Sequence, residues 1–520
     1  MIELDSYLGG RWRAGAGAGT TLADPTTGAA LARASSEGLD LGAALQWARG
    51  NGAALRDLTF AQRGAALETI ASTLKARRAG YLEIAIANSG NTPADAAIDI
   101  DGAIGTLLYF ARLGKTLGEQ RVMRDGAPQR LGRDENFQGL HLLVPRRGVA
   151  VHINAFNFPA WGLWEKAAVA LLAGMPVLAK PAASTAWLAQ EMVADIIAAD
   201  ALPDGALSIL CGSPGDLLTH LDWQDVLSFT GSAVTARTLR THEGVTAHAV
   251  PLNIETDSLN AMVLGPDVAP SSEEFDAFIG DVARELTVKA GQRCTAVRRI
   301  LVSATHADAV AAALAARLER VTVGNPRSES VRMGPLVSKA QRDEALRGIE
   351  RLSGEAQLVC GGAADGALID ADAAHGAFIA PTVLRARGDA ELVHDLEVFG
   401  PVSTIVPYAD EAALLALAAR GRGSLVLSAF SADPAFLQRL ALDLAYAHGR
   451  LMAIDAGIAR SHSGHGNVLP SCIHGGPGRA GGGEELGGQR GLKFYQQRTA
   501  IQGSASTLGG LVDAAAPLSL

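Results

Sequence analysis

Cysteine is scarce in this sequence: four residues in 520, at positions 211, 294, 360 and 472. They are scattered, with no Cys-x-x-Cys spacing to suggest zinc, and a disulfide framework does not suit so long a chain. Positive charge is also in deficit. Lys and Arg total 45 against 54 Asp and Glu, a net charge of −9, which gives no electrostatic reason to bind nucleic acid or an anionic membrane. Long apolar runs are missing. The longest, Ala167 to Ala179, is too short to span a bilayer and ends against Lys180. The N-terminus "MIELDSYLGGRW" carries acids at once and lacks the apolar core of a secretory signal. These absences predict a cytoplasmic protein with reduced thiols. Aromatics make up only 5%, which favours close-packed helices and tight turns over an aromatic binding surface. There are no repeats, and no Gly-x-Gly-x-x-Gly joins a predicted strand to a predicted helix, so the ordinary dinucleotide fingerprint is absent.

What is present is a rhythm. Apolar residues at spacings of three and four predict helices over the early part, in "GAALQWARGNGAALRDL" and "AQRGAALETIASTLKARRAGYLEIAIANSG". From "RGVAVHINAF" onward, strands alternate with helices: "MPVLAKPA", "ALSILCG", "DVLSFTG" and "AHAVPLNIE" are the further strands. That alternation predicts an α/β fold with a doubly wound parallel sheet, whose ligands bind at the carboxyl ends of the strands. A second α/β rhythm starts near Asn260, from "AMVLG" and "RRILVS" to "LVLSAFS". Ser461 to Gly491 is rich in glycine and predicted irregular, Leu492 to Gln502 holds a last strand, and a small-residue tail from Ser504 is expected to be poorly ordered.

Several residues stand where strands end. Cys294, in "KAGQRCTA", follows a glycine and two polar residues, as in a loop facing a cleft. A lone cysteine is ordinarily a buried apolar side chain. A nucleophile needs access and a lowered pKa. Glu255 ends the strand "AVPLNI"; it is a solvated loop residue or, if partial burial raises its pKa, a general base for water. Asn157, in "INAFNFPAW", either caps the following helix or points its amide at an oxyanion. Lys180 closes a very apolar strand, where it snorkels to solvent or binds ligand hydroxyls or phosphate, and Gly231 and Ser232 open a helix whose free N–H groups suit a phosphate. His462, His465, Cys472 and His474 share one glycine-rich loop. No metal is expected there; the loop is expected to line a substrate path.

In order and spacing, "NFP" at Asn157, "KPA" at Lys180, "FTGS" at Phe229, Glu255, "GQRC" at Gly291 and "EVFGPV" at Glu397 resemble the aldehyde dehydrogenase superfamily over nearly the whole chain. "VGNP" at Val323 and "MGPLVS" at Met333 agree. The resemblance implies two doubly wound parallel-sheet domains and a small β oligomerisation extension. Residues 1–121 and 146–257 would bind the cofactor, 258–484 would form the catalytic domain, 122–145 and 485–503 would be oligomerisation strands, and 504–520 a tail. It implies that Cys294 attacks the aldehyde and that Asn157 and the Cys294 N–H hold the oxyanion. Hydride leaves for a nicotinamide, and Glu255 activates the water that hydrolyses the thioester. Lys180 and Glu397 would bind ribose hydroxyls, Phe399 would pack near the nicotinamide ribose, and Ser232 would sit at the pyrophosphate.

The chain departs from the common pattern. Thr256-Asp257-Ser258-Leu259 replaces Leu-Gly-Gly-Lys after the glutamate, "AFNFP" replaces "PWNFP", and "HGGPGRAGGGEELGG" stands near the C-terminus. These departures are similar to a subgroup acting on CoA-linked semialdehydes in aromatic-acid catabolism, and imply 3,4-dehydroadipyl-CoA semialdehyde, from benzoate degradation, as substrate. A further hydratase domain, present in bifunctional members, has no room before Leu520. Cofactor choice follows from "KPAAST". NAD-preferring members often carry a glutamate three residues after the lysine, but here Ala183 is followed by Ser184 and Thr185, which predicts NADP with NAD possible. Two other readings compete: a CoA-acylating dehydrogenase, which generally lacks the glutamate base, and a non-catalytic protein on the same scaffold. Glu255 favours hydrolysis to the acid, and Cys294, Glu255 and Asn157 together argue against a non-catalytic protein. A homo-oligomer, taken as a dimer, is expected from the superfamily.

Overall fold

The structure is a computed structural model that describes residues 1–362 and 367–518. It holds two seven-stranded sheets. In the first, Leu252–Glu255, Val226–Thr230, Ala150–Ile153, Val177–Lys180 and Leu207–Ile209 lie side by side and parallel. Antiparallel Ser6–Leu8 and Arg11–Arg13 extend one edge. In the second, Thr382–Ala386, Val402–Tyr408, Arg299–Ser303, Ala261–Leu264, Ser424–Phe430 and His448–Ile454 are parallel, with antiparallel Ala356–Cys360 on the edge. The α/β class with parallel sheets read from the sequence is the one observed.

Both sheets are apolar on both faces, as parallel sheets covered by helices must be. On one face of the first sheet, helices Phe60–Ala76, Pro93–Leu117 and Trp161–Ala173 bury Phe60, Phe110 and Trp164 completely. Each such side chain contributes about 1.5–3 kcal/mol by leaving water. Local chemistry sets the helix starts. Thr59 and Gln62 form a reciprocal capping box, and Thr92 caps a helix with proline in its first turn.

Register decides where the functional residues fall. Ile153 lies opposite both Lys180 and Phe229, and Thr230 lies opposite Glu255. Lys180, Ile153, Thr230 and Glu255 therefore end at one rim of the sheet. The chain runs outward from Ala150–Ile153 through Val177–Lys180 and Leu207–Ile209, then returns to the other side with Val226–Thr230. That reversal is a topological switch point, where the strand ends leave a crevice.

Two expectations are corrected, at the last strand and at the tail. Ahead of the predicted helices, Ile2–Leu4, Thr20–Ala23 and Ala30–Ala34 form a small sheet beside Ser6–Leu8 and Arg11–Arg13, which the sequence did not announce. Strands of three to five residues carry too few alternations to register as periodic. The last long strand is Gln496–Ser504, preceded by a 3-10 segment, Gly488–Tyr495, where the strand was expected to begin. The tail is ordered as helix Ala505–Ala514 and strand Ala515–Pro517, because Leu508 and Ala515 bury against Leu140 and Leu142; positions 519 and 520 of that predicted tail lie outside the described residues. Hairpin Val122–Arg130 and Phe137–Pro145, predicted as a two-strand excursion, joins these two C-terminal strands in one four-stranded sheet.

Candidate active site

Cys294 follows a turn that ordinary residues avoid. Lys289, Ala290 and Gly291 all have left-handed backbone, with φ of 52°, 51° and 66°. A Cβ on Gly291 would stand 2.4 Å from the carbonyl oxygen of Gly400, so glycine is required there. The turn is held from all sides. The Arg298 guanidinium donates to the carbonyls of Gly400, Gly291 and Arg293 at 2.6, 3.1 and 3.2 Å and covers the Phe399 ring at 5.5 Å. Asn260, fully buried, donates to the carbonyls of Cys294 and Ala296 and accepts from Val426 N–H. The Lys289 ammonium lies 4.5 Å over the Phe158 ring and 3.7 Å from Asp99.

Asp99 in turn accepts from Trp161 N–H at 2.7 Å, at the start of helix Trp161–Ala173. Asp99, not Asn157, caps that helix, which leaves the Asn157 amide free. Among the described residues, neither that amide nor the Cys294 N–H has a hydrogen-bond partner. Asn157 and Cys294 line one cavity, and unpaired donors there are what an oxyanion hole requires.

A cavity of about 40 Å³ joins these groups, room for a few waters. Asn157, Glu255, Cys294 and His474 line it, with Phe158, Trp161 and Val468 as apolar wall. Glu255 Oε2 is 3.0 Å from His474 Nε2, and that nitrogen is 4.0 Å from Cys294 Sγ. Deeper, Lys166 Nζ contacts Glu485 Oε2 at 3.0 Å and Glu165 Oε1 at 3.3 Å. The glycine-rich loop reaches the strand end because side chains are missing: a Cβ on Gly481 would stand 2.2 Å from the Ile254 carbonyl oxygen.

Electrostatics reverse two expectations. Burial acts to raise the Glu255 pKa, but the His474 and Lys166 cations overcome it and hold the carboxyl down at about 2. Glu255 is therefore ionised despite its burial. The Cys294 thiol is not lowered; burial and the Glu255 carboxylate push it up to about 12. His474 is raised well above its usual value: burial opposes its charge, but Glu255 and Cys294 favour it more. Glu485 is pushed up to about 7 by burial, against the pull of Lys166.

The fit of a dinucleotide rests on unpaired polar atoms at the crevice. Lys180, 8% exposed at the strand rim, has no hydrogen-bond partner among the described residues, and burial lowers its pKa. Glu397 Oε1 is buried without a hydrogen bond among the described residues, 3.6 Å from Arg298 Nε, while its Oε2 accepts from Ser258 N–H. Phe156 and Phe399 meet edge to face at 5.7 Å. These groups fit ribose hydroxyls and a flat ring. At Gly231 and Ser232 the donors are used internally: Ser232 Oγ caps helix Ala233–Thr241, Asp257 accepts from Ala233 N–H, and Gly231 N–H donates to the Glu255 carbonyl. Beside Ala183, Thr185 donates its hydroxyl to the Phe156 carbonyl, whereas the Ser184 hydroxyl has no partner among the described residues.

The histidine-rich loop divides. His465 bonds Ser428, His462 faces Asp281, Cys472 is exposed, and His474 alone enters the cavity. Gly466 and Val468 of the same loop also line it. Sequence reasoning did not assign roles to His474, Lys166, Glu485, Asn260 or Arg298. Only His474 had been singled out, as one of four loop residues.

Residues 12–501 match the model of the aldehyde dehydrogenase family. A 3,4-dehydroadipyl-CoA semialdehyde dehydrogenase from Aromatoleum evansii is 53% identical over 479 residues, 92% of this chain and 93% of the relative. Succinate-semialdehyde dehydrogenase from Burkholderia pseudomallei, a solved structure, superposes with TM-score 0.83 at 26% identity, covering 96% of this chain and 98% of that one. An NAD+ complex of an aldehyde dehydrogenase from Bacillus cereus shares the fold at TM-score 0.82 and 20% identity, over 97% of each chain. A thiol beside unpaired donors at a switch-point crevice, in a chain matched almost end to end, leads to one assignment: this chain belongs to the aldehyde dehydrogenase family and oxidises aldehydes with a nicotinamide cofactor.

Proposed function

We propose that the chain oxidises a semialdehyde carried on a CoA thioester to the free acid, with Cys294 as nucleophile and NADP+ as the preferred hydride acceptor. One observation carries the chemistry: Cys294, Asn157 and Glu255 converge on a single small cavity from a loop and two strand ends. Cys294 Sγ adds to the aldehyde carbon. The Asn157 amide and the Cys294 N–H, both unpaired, receive the oxygen as it gains charge. When bound, the oxidised nicotinamide supplies the hydride acceptor. Lys180 and Glu397 would hold its ribose hydroxyls, and Phe399 would pack beside it. Glu255 then takes a proton from the water that opens the Cys294 thioester, and its low pKa keeps it in the basic form.

The substrate class is supported by the relative that shares 53% identity, whose name specifies 3,4-dehydroadipyl-CoA semialdehyde. The cavity of about 40 Å³ admits the aldehyde end of such a molecule while the CoA stays outside. NADP is supported by Ala183, where a carboxylate would repel a 2′-phosphate, by the free Ser184 hydroxyl, and by the unpaired Lys180 ammonium. A homodimer is supported by the hairpin sheet, which exposes Leu131 and Phe137 near its turn. A cytoplasmic location is supported by four free cysteines and by the absence, among the described residues, of any helix long and apolar enough to cross a membrane.

A kinetic screen of free aldehydes against CoA-linked semialdehydes, each with NAD+ and NADP+, tests this reading. Highest kcat/KM is expected for the CoA-linked compound with NADP+. Equal or better kcat/KM with NAD+ would sink the cofactor assignment. No turnover unless free CoA is added would replace hydrolysis with acyl transfer.

A further inference from the structure

We infer that His474 is a catalytic residue of this site: the imidazolium that exchanges its ionic partner from the Glu255 carboxylate to the Cys294 thiolate when the nucleophile forms. The inference rests on Cys294 being the nucleophile, as proposed above.

One nitrogen faces both groups. His474 Nε2 is 3.0 Å from Glu255 Oε2 and 4.0 Å from Cys294 Sγ, and the polar atoms of the three side chains lie within 4.8 Å of one another. Among the described residues, the Glu255 carboxylate accepts no hydrogen bond from backbone or hydroxyl donors; its oxygens face His474 and the thiol. His474 is placed there by strand Ile473–Gly475, which pairs with Glu484–Leu486 so that His474 stands opposite Glu485. From the elements packed around it, the charged groups are Glu255, Lys166 and Glu165 on helix Trp161–Ala173, and Glu485. On the neighbouring strand His448–Ile454, Arg450 is committed to the carbonyls of Asn467 and His465, and His448 to Ser424.

The charge balance shapes a partner exchange: with Glu255 held down and Cys294 pushed up, the proton rests on sulfur, and the exchange is an uphill, transient step completed as the thiolate is consumed. At rest the site holds an imidazolium, a carboxylate and a neutral thiol. Moving the thiol proton to Glu255 breaks the S–H bond and forms an O–H bond. The imidazolium keeps its own proton and now neutralises a thiolate. The net charge of the buried trio is unchanged, so the step avoids the cost of creating an isolated charge out of water. The thiolate then adds to the aldehyde. Glu255 returns its proton to solvent, as one of the protons that oxidation to a carboxylate releases, and is again a base for water.

Alkylation by iodoacetamide, followed against pH on the full chain without aldehyde or cofactor, reads the thiolate directly. C294A defines the background from Cys472 and Cys360. In H474Q and H474N the Cys294 rate at pH 7 should fall at least about tenfold, with the limb displaced upward by about one pH unit or more. E255Q should do the reverse: the imidazolium no longer shares its charge with a carboxylate, so alkylation at pH 7 should quicken by a similar factor, about tenfold, while aldehyde oxidation falls. Wild-type alkylation profiles in the folded His474 variants, or an E255Q profile unchanged or moved upward, would overturn the inference. E255Q carries the test if neither histidine variant folds. Aldehyde oxidation surviving in C294A would instead overturn the underlying assignment of the nucleophile.

Discussion

The Lys166 ammonium and the Glu485 carboxylate meet at 3.0 Å with almost no exposure to solvent, within electrostatic reach of Glu255. Breaking such a pair leaves a buried charge and costs about 3–5 kcal/mol. Lys166→Met should therefore lower stability by that amount, and more at pH 8 than at pH 5.5. The sign comes from Glu485, whose folded pKa of about 7 lies above the ordinary carboxylate value. A carboxyl raised on folding stabilises fully below its unfolded pKa and loses that contribution as pH rises through the folded one. Without Lys166 the folded value rises further. Denaturant melts at the two pH values check this; equal losses at both would rule the account out.

Asn157 offers a cleaner separation of activity from stability. Its amide has no partner among the described residues, so Asn157→Ala should change the melting temperature little. Removing one oxyanion donor costs about 10²–10³ in kcat. Steady-state kinetics beside a thermal melt would show both; a large loss of stability would mean that the amide is structural.

Arg298 holds three carbonyls of the nucleophile turn and the Gly400 segment in one planar fork. Lysine cannot reproduce the fork or the stacking on Phe399. Arg298→Lys is expected to cost about 2–4 kcal/mol, since bonds to a charged donor are worth about 1.5–3 kcal/mol each. It should also slow Cys294 alkylation. A stable variant with normal thiol chemistry would show that the turn holds itself.

Cofactor choice can be turned at one position. Ala183→Glu places a carboxylate next to Ser184 and three residues from Lys180. The kcat/KM with NADP+ should fall about tenfold or more, the scale of one unfavourable charge contact of about 1.4 kcal/mol, while NAD+ use is kept or improved. Initial rates over both cofactors decide it.

The Glu255–His474 pair also marks the stability curve. Glu255 is depressed to about 2, so its contribution is present above the ordinary glutamate pKa and is lost as pH falls through about 2. His474 is raised, so its contribution is present below the ordinary histidine pKa and lost only as pH rises through its elevated folded value. The difference in melting temperature between wild type and H474Q should be largest in the neutral window and shrink toward pH 2. A difference constant across that range would deny the ion pair.

Much of the site was legible because a parallel strand leaves two marks in sequence, an apolar run and the polar residue at its carboxyl end. Asn157, Lys180 and Glu255 each come at or just after such a run, and the register brings those ends to one rim. Pairing across sequence was hidden. Asp99 takes the capping role open to Asn157 from some sixty positions away, and nothing local announces it. His474 sits in a glycine-rich loop without periodicity, so its approach to Cys294, 180 positions away, could not be read. The signs of the Glu255 and Cys294 shifts were misread for the same reason: each is decided by an unseen neighbour. The helix at Ala505–Ala514 was missed because its small residues look like a tail until Leu508 finds its place against the hairpin.

The hairpin at Val122–Pro145 has a consequence during synthesis. Strand Phe137–Pro145 pairs along its length with Gln496–Ser504, and Val122–Arg124 pairs with Ala515–Pro517. Residues 146 to 495 must be translated before the first of these partners exists. At about 5–20 residues per second that is roughly 20–70 s, during which both outer edges of a finished ribbon stand open on the ribosome. Open edges recruit other strands. The nascent chain therefore has a long interval in which a neighbour on the same polysome can supply the missing strand, and slowing translation between the two halves should raise the yield of misassembled protein.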